Sequence, residues 1–180
     1  QNIGLTKSLN KGLTLSKGKY IARQDSDDYS DPTRLEKQIQ LLKDNDDISF
    51  VSTACYIVDI NDKIIKSVLT KDKKKISLLQ KMKIRNALVD SVCMYKKEIF
   101  DKIGKYDEFF YISQTYNFNL RALQFFNATI IREPLYYVRN DIKNSIRFNK
   151  KANKFKKDNN IRELALERAE KYPIIKDNDT

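Results

Sequence analysis

The chain has 180 residues, of which 41% are apolar and 33% charged; a core can form and wholesale disorder is excluded. It has no histidine and only two cysteines, which excludes Ser-His-Asp and Cys-His nucleophile systems, His-ligated zinc and a disulfide scaffold. The net charge is +11, and Arg139 to Lys171 alone carries eleven Lys/Arg against five Asp/Glu, so no basic groove is expected through the whole domain.

Leu5, Ser8, Leu9, Gly12, Leu13 and Ser16 recur at helical steps, and Gly18 follows where a helix end favours glycine. Tyr20 to Asp25 reads as a short strand running into Asp25-Ser26-Asp27-Asp28. Asp31 suits an N-cap, Pro32 the first helical position and Glu36 the first turn of a helix reaching about Lys43. Ile48 to Ile60 reads as one or two strands, Asn61-Asp62-Lys63 as a turn and Ile64-Ile65 as a short strand. A basic run, Lys71 to Lys75, leads into a helix over Ile76–Met82. Val92 to Tyr95 is expected as strand, Lys96 to Ile103 as a helix closed by Gly104, and Tyr116 to Phe126 as a helix. Ala128 to Val138 reads as strand interrupted by Pro134. Beyond Asn140 the chain is polar and rich in lysine and asparagine, with a last helix over Ile161–Ala169. Cys55 and Cys93 sit among apolar neighbours and read as reduced, buried thiols of an intracellular protein. No apolar run approaches the roughly 18 residues that span a bilayer.

The strand, acid turn and helix form the informative unit. In an open α/β sheet, ligands bind outside the carboxyl ends of strands. Asp25, Asp27 and Asp28 repel one another unless a cation or several donors share them. A divalent ion with oxygen ligands, completed by a diphosphate, relieves that conflict. The same residues also read as a solvated acidic turn capping the next helix.

Asn2-Ile3-Gly4-Leu5, Ser8-Leu9-Asn10-Lys11-Gly12 and Ser16 to Asp28 stand in an ordered, spaced series. Arg34 to Gln38, Met94 to Glu98, Gly104 to Glu108, and Tyr116 with Leu120-Arg121 continue it. The series resembles family 2 glycosyltransferases of the GT-A fold, from Asn2 to about Ile146. The resemblance implies an α/β protein with a Rossmann-like open mixed sheet flanked by helices, lacking the family's first βαβ portion. It divides the chain into a partial GT-A domain, 1–146, and a basic C-terminal helical tail, 147–180. It implies inverting, metal-dependent transfer from a nucleotide-diphosphate sugar, such as a UDP-sugar, to a glycan or lipid-linked acceptor in cell-surface polysaccharide assembly. Asp25 would contact the nucleotide and, with Asp27, ligate Mn or Mg; Asp28 would help or cap the helix. Arg23 would meet a phosphate, or else form a salt bridge to Asp28 or Glu36. The implied location is the cytoplasm, at the inner face of the membrane.

The family's general base lies in a Glu/Gln-Asp-Tyr-Asp element, matched here by Gln114-Thr115-Tyr116-Asn117. Thr115 stands in the base position, and neither it nor Asn117 accepts a proton usefully near neutral pH. Asp90 occupies one place where the family often has histidine, and is the substitute candidate for base. Asp141 and Asn144 stand near the other, beside Ser145-Ile146. A non-catalytic relative that keeps the fold is therefore the alternative reading. Arg121 is expected to be structural, Tyr106-Asp107-Glu108 to line the acceptor cleft or cap a loop, and Tyr136 and Tyr137 to stack on a sugar or pack. The basic segment Lys143 to Lys157 reads as a solvated face, or as a contact for an anionic membrane. Net charge raises a nucleic-acid-binding module as a third reading, but the chain has no identifiable DNA- or RNA-reading motif, and nucleic acid is not expected as a partner.

Overall fold

A computed structural model describes residues 1–69, 77–84, 86–141, 145 and 149–171. The expected basic run Lys71–Lys75 lies outside these residues, as do Lys143 and Asn144. The chain begins with α1 (Leu5–Leu15), β1 (Tyr20–Ala22), β2 (Tyr29–Ser30) and α2 (Arg34–Asp44). Then follow β3 (Ile48–Val58), β4 (Ile64–Val68), α3 (Leu78–Ile84), a 3₁₀ turn (Asp90–Val92) and β5 (Met94–Lys96). The last elements are α4 (Glu98–Ile103), α5 (Gln114–Ala122), β6 (Asn127–Arg139), α6 (Lys150–Asp158) and α7 (Ile161–Lys171).

The strands form one open mixed sheet flanked by helices, the architecture expected from the sequence. Its order is β1-β5-β3-β6-β2, with β4 also on β3. β3 is the spine. It pairs in parallel with β6 along one edge, and its other edge is shared by β5 at Phe50 and Val51 and β4 at Cys55 to Val58, both antiparallel. Pro134 lies where the β3–β6 register slips between Thr53↔Ile131 and Ala54↔Pro134, so Arg132 and Glu133 are passed over in the pairing, the kind of irregularity where a strand tolerates proline.

β1 ends at Ala22, short of the expected Asp25; the Arg23 N–H still donates to the Cys93 carbonyl at 3.3 Å, and its side chain turns inward. α2 begins at Arg34, later than Pro32, and Asp31 acts one turn ahead: its Oδ1 accepts from the Thr33 N–H at 2.9 Å and the Thr33 hydroxyl at 2.6 Å. α1 ends at Leu15, before Gly18, and its inward face is Thr6, Leu9, Asn10 and Leu13. Polar residues lead on that face because α1 docks on backbone. Thr6 donates to the Phe110 carbonyl at 2.6 Å, and Asn10 exchanges two 2.9 Å bonds with the Tyr106 main chain. α4 closes at Gly104, whose φ of 76° is the conformation that favours glycine at a helix end.

The core lies between the sheet and α5, around Phe50, Tyr95, Phe100, Tyr106 and Phe118; Phe100 and Phe118 stack with centroids 4.6 Å apart. Every residue of α5 is buried, because α7 covers its outer side with Ala165 and Ala169. The chain beyond Asn140 therefore supplies part of the core, and it contains α6 as well as the expected last helix.

Candidate functional site

The acid turn leaves the end of β1 and returns through β2. Arg34, the first residue of α2, holds both sides of it. Its Nη2 donates to the Arg23 carbonyl at 2.7 Å, its Nη1 to Ser30 Oγ at 2.7 Å and its Nε to Gln38 Oε1 at 3.1 Å. The guanidinium is 1% exposed and lies 4.8 Å from the Tyr136 ring centre. The hydroxyl of Tyr136, from β6, accepts the Asp25 backbone N–H at 3.0 Å. Arg139, at the end of β6, donates through Nε to the Asp27 carbonyl at 3.0 Å and pairs with Asp62 at 2.7 Å, tying the turn to the β3–β4 connection.

The three carboxylates have different surroundings. Asp25 Oδ1 takes Arg23 Nη2 at 2.9 Å and Nε at 3.2 Å. Asp28 turns inward and accepts the Arg139 backbone N–H at 2.9 Å and the Ser91 hydroxyl at 3.4 Å. Burial raises the Asp28 pKa above its ordinary 3.8 against the pull of the Arg139 amide and the Tyr136 hydroxyl, and the charges of Asp25 and Asp27 raise it further. Burial also pushes the Tyr136 phenol well above its ordinary value, so it stays protonated with a proton to share. Asp27 is exposed. Mutual repulsion, the sequence argument for a cation, is thus offset in part by protein donors, Arg23 for Asp25 and the Arg139 N–H and Ser91 hydroxyl for Asp28, while the charges of Asp25 and Asp27 still act on Asp28.

Among the described residues, no three Asp, Glu, Cys or His side chains form a metal-binding group. The donor set that remains is Asp25, whose Oδ2 is outside the Arg23 pair, and the exposed Asp27. Two carboxylates fit a hard divalent cation that takes its other oxygen ligands from phosphate and water, and do not fit a closed all-protein site.

Arg23 is nearly buried and its ion-pair partner is Asp25, which replaces the expected Asp28 or Glu36. Its Nη1 also donates to Thr115 Oγ1 at 2.5 Å. Thr115 is fully buried at the start of α5, so Arg23 bridges the acid turn and the Gln114-Thr115-Tyr116-Asn117 segment. Asn117 is structural: it accepts from Arg121 Nε at 3.2 Å and donates to the Ala165 carbonyl at 3.1 Å. Arg121 is structural as expected, donating to the Ile103 and Lys105 carbonyls at 2.6 and 2.5 Å. Asp107 caps its loop through the Phe109 N–H at 3.0 Å and pairs with Arg168 at 2.6 Å. Tyr137 stacks on Tyr29 with centroids 4.5 Å apart and Tyr136 is buried, so both pack, and Tyr136 also holds Asp25. Asp90 opens the 3₁₀ turn, and its side chain is outside the described residues; the next residue, Ser91, is the one that reaches Asp28. The sequence reading missed Arg34 and Arg139 as organisers of the turn. A basic residue right after the N-cap, opposite an acidic run, was the available signal for Arg34.

Residues 1–104 match the family described as Glycosyl transferase family 2. The chain is 36% identical over 124 residues to an uncharacterized glycosyltransferase of Methanocaldococcus jannaschii, covering 68% of this chain and 42% of that protein. It is 34% identical over 119 residues to the O-antigen biosynthesis glycosyltransferase WbnJ of Escherichia coli, covering 66% of this chain and 45% of that protein. In structure it is similar to S. aureus TarS 1–349 in complex with UDP, with a TM-score of 0.57, 16% identity, and coverage of 77% of this chain and 41% of that one. That likeness shows the GT-A glycosyltransferase fold. The chain spans less than half the length of these relatives.

Proposed function

The chain belongs to glycosyl transferase family 2, and from that membership we propose that it serves metal-dependent, inverting transfer of a sugar from a UDP-sugar to a glycan or lipid-linked acceptor. The observation that carries the reading is the held acid turn: Asp25, fixed by Arg23 and Tyr136, beside an exposed Asp27 at the end of β1. In this reading Asp25 and Asp27 ligate Mn or Mg, which when bound supplies charge neutralisation for the leaving diphosphate. Arg23 orients Asp25, and its donors to Asp25 and Thr115 argue for that role over a phosphate contact. The acceptor hydroxyl attacks the anomeric carbon, the bond to the diphosphate breaks, and Asp90 takes the proton. Asp90 is favoured because its neighbour Ser91 touches the acid turn. UDP is favoured as the nucleotide because TarS is similar in fold and is described in complex with UDP and with UDP-GlcNAc. The relative named for O-antigen biosynthesis favours cell-surface polysaccharide assembly, and we place that work at the cytoplasmic face of the membrane as part of the same proposal. Among the described residues no helix is long and apolar enough to cross a membrane.

A second reading, a transferase-like protein without turnover, is favoured by Thr115, whose buried hydroxyl accepts a bond from Arg23 in the family's base position. Both readings are tested on the full-length protein by UDP affinity with and without Mn, and by sugar transfer. Asp27→Asn is expected to abolish the Mn-dependent part of UDP binding. Asp90→Asn is expected to abolish transfer and leave binding intact. UDP binding indifferent to Mn and to Asp27→Asn sinks the metal-dependent reading; Mn-dependent binding without transfer by the native protein selects the second.

A further inference from the structure

Away from the acid turn, α6 concentrates charge. It carries Lys150, Lys151, Lys154, Lys156 and Lys157 against one acid, Asp158, and all five lysines are exposed. Ala152 and Phe155 turn inward, so Lys150, Lys154 and Lys157, at i, i+4 and i+7, share the outward stripe. One flank of α6 meets the loop before α5. Lys151 Nζ stands 4.5 Å from the Tyr111 ring centre, Asn149 donates to the Tyr111 hydroxyl at 3.0 Å, and Phe155 lies 5.9 Å from Phe109, centroid to centroid. Phe109 is 48% exposed although it also touches Phe110 and Arg168. A row of lysines therefore borders an exposed phenyl ring and a half-exposed phenol.

We propose that this face, α6 with Phe109 and Tyr111, docks the protein on an anionic lipid surface. Lysine suits lipid phosphates as a point charge on a flexible stem, and its stem covers apolar surface while the ammonium stays wet. Phe109 has no polar handle and gains from hydrocarbon, whereas Tyr111 has the amphipathic character of side chains at the headgroup level. A nucleic-acid face would favour Arg forks for bases and phosphates; α6 has five lysines and no arginine. The proposal uses none of the acid-turn residues, so it stands or falls apart from the catalytic reading.

The test is co-sedimentation of the full chain with phosphatidylcholine vesicles and with vesicles that also contain phosphatidylglycerol. Binding is expected to require phosphatidylglycerol and to weaken with salt. The triple variant Lys150→Gln, Lys154→Gln, Lys157→Gln is expected to bind on the order of a hundredfold more weakly, with an unchanged thermal melt because all three side chains are exposed on the outward stripe. Phe109→Ser is expected to weaken binding in high salt as well; should it unfold, the lysine variant decides alone. Equal binding to both vesicles, native-like binding by the triple variant, or tighter binding to a single-stranded oligonucleotide that displaces the vesicles would overturn the proposal.

Discussion

Arg34→Met tests whether the acid turn is held from beneath. The substitution keeps the apolar stem and removes three donors. Two acceptors then lose their partner inside the protein: the Arg23 carbonyl and Gln38 Oε1. Each buried unsatisfied group costs about 1–3 kcal/mol. Removing a buried charge returns part of its desolvation cost, and burial does depress the Arg34 pKa. The net loss works out at about 3 kcal/mol, which lowers the melting temperature of a domain this size by about 6–12 °C. Arg34→Lys retains one donor and should fall between. The turn is also expected to loosen, because Arg34 bonds both its entry at Arg23 and its exit at Ser30. Mn affinity in the presence of UDP should drop about tenfold, as for loss of other groups that orient ligands. Urea denaturation measures the first effect and calorimetry the second. A melt within a degree or two of the native protein would refute the clamp, and lost stability with untouched Mn affinity would refute its link to the site.

Two further outcomes follow from the buried groups nearby. The folded-state pKa of Asp28 is raised, so the folded protein holds the proton more tightly than the unfolded chain does. Stability should therefore fall as pH rises from 3.8 through the raised pKa, and Asp28→Asn should remove that slope in denaturation curves across the window; an Asn variant with the native slope would show that another group carries it. Burial pushes the Cys55 thiol up to about 11, and neither Cys55 nor Cys93 is exposed. Neither should react with a thiol reagent at neutral pH until urea unfolds the chain; rapid labelling of the native protein would contradict this packing.

Local chemistry made several elements legible. Gly104 announced the end of α4, and the apolar run from Ile48 announced β3. The acid turn was placed correctly after β1, because four polar residues do not continue a strand whose neighbours are apolar. β2 was not legible: Tyr29 and Ser30 are strand only because β6 passes beside them, and the pairing of Tyr29 with Tyr137 and of Ser30 with Tyr136 is set by the fold and by no local pattern. The inward face of α1 was legible in part: Leu9 and Leu13 pack on the core as their spacing suggests, while Thr6 and Asn10 were hidden for a similar reason. Leucine periodicity pointed to one stripe, but the main chain at Tyr106 and Phe110 demanded partners, and Thr6 and Asn10 supply them. The inward turn of Asp28 was likewise hidden, because it depends on Arg139 and Ser91, which are remote in sequence.

Thr115 looks in the sequence like a loss, yet its surroundings give the substitution a physical logic. Arg23 divides its donors between Asp25 and Thr115. A carboxylate at 115 would offer that buried guanidinium a second anion, and charge-assisted bonds are roughly twice as strong as neutral ones. Arg23 would then be shared, and its grip on Asp25 would weaken. A hydroxyl accepts one bond, satisfies the buried donor, and leaves the ion pair with Asp25 undivided. The same reasoning limits what Thr115→Asp can restore: a carboxylate beside Arg23 has its pKa lowered and makes a poor proton acceptor. A carboxylate meant to act as a base at this position would therefore need Arg23 altered with it, since the two positions share one hydrogen-bonded unit.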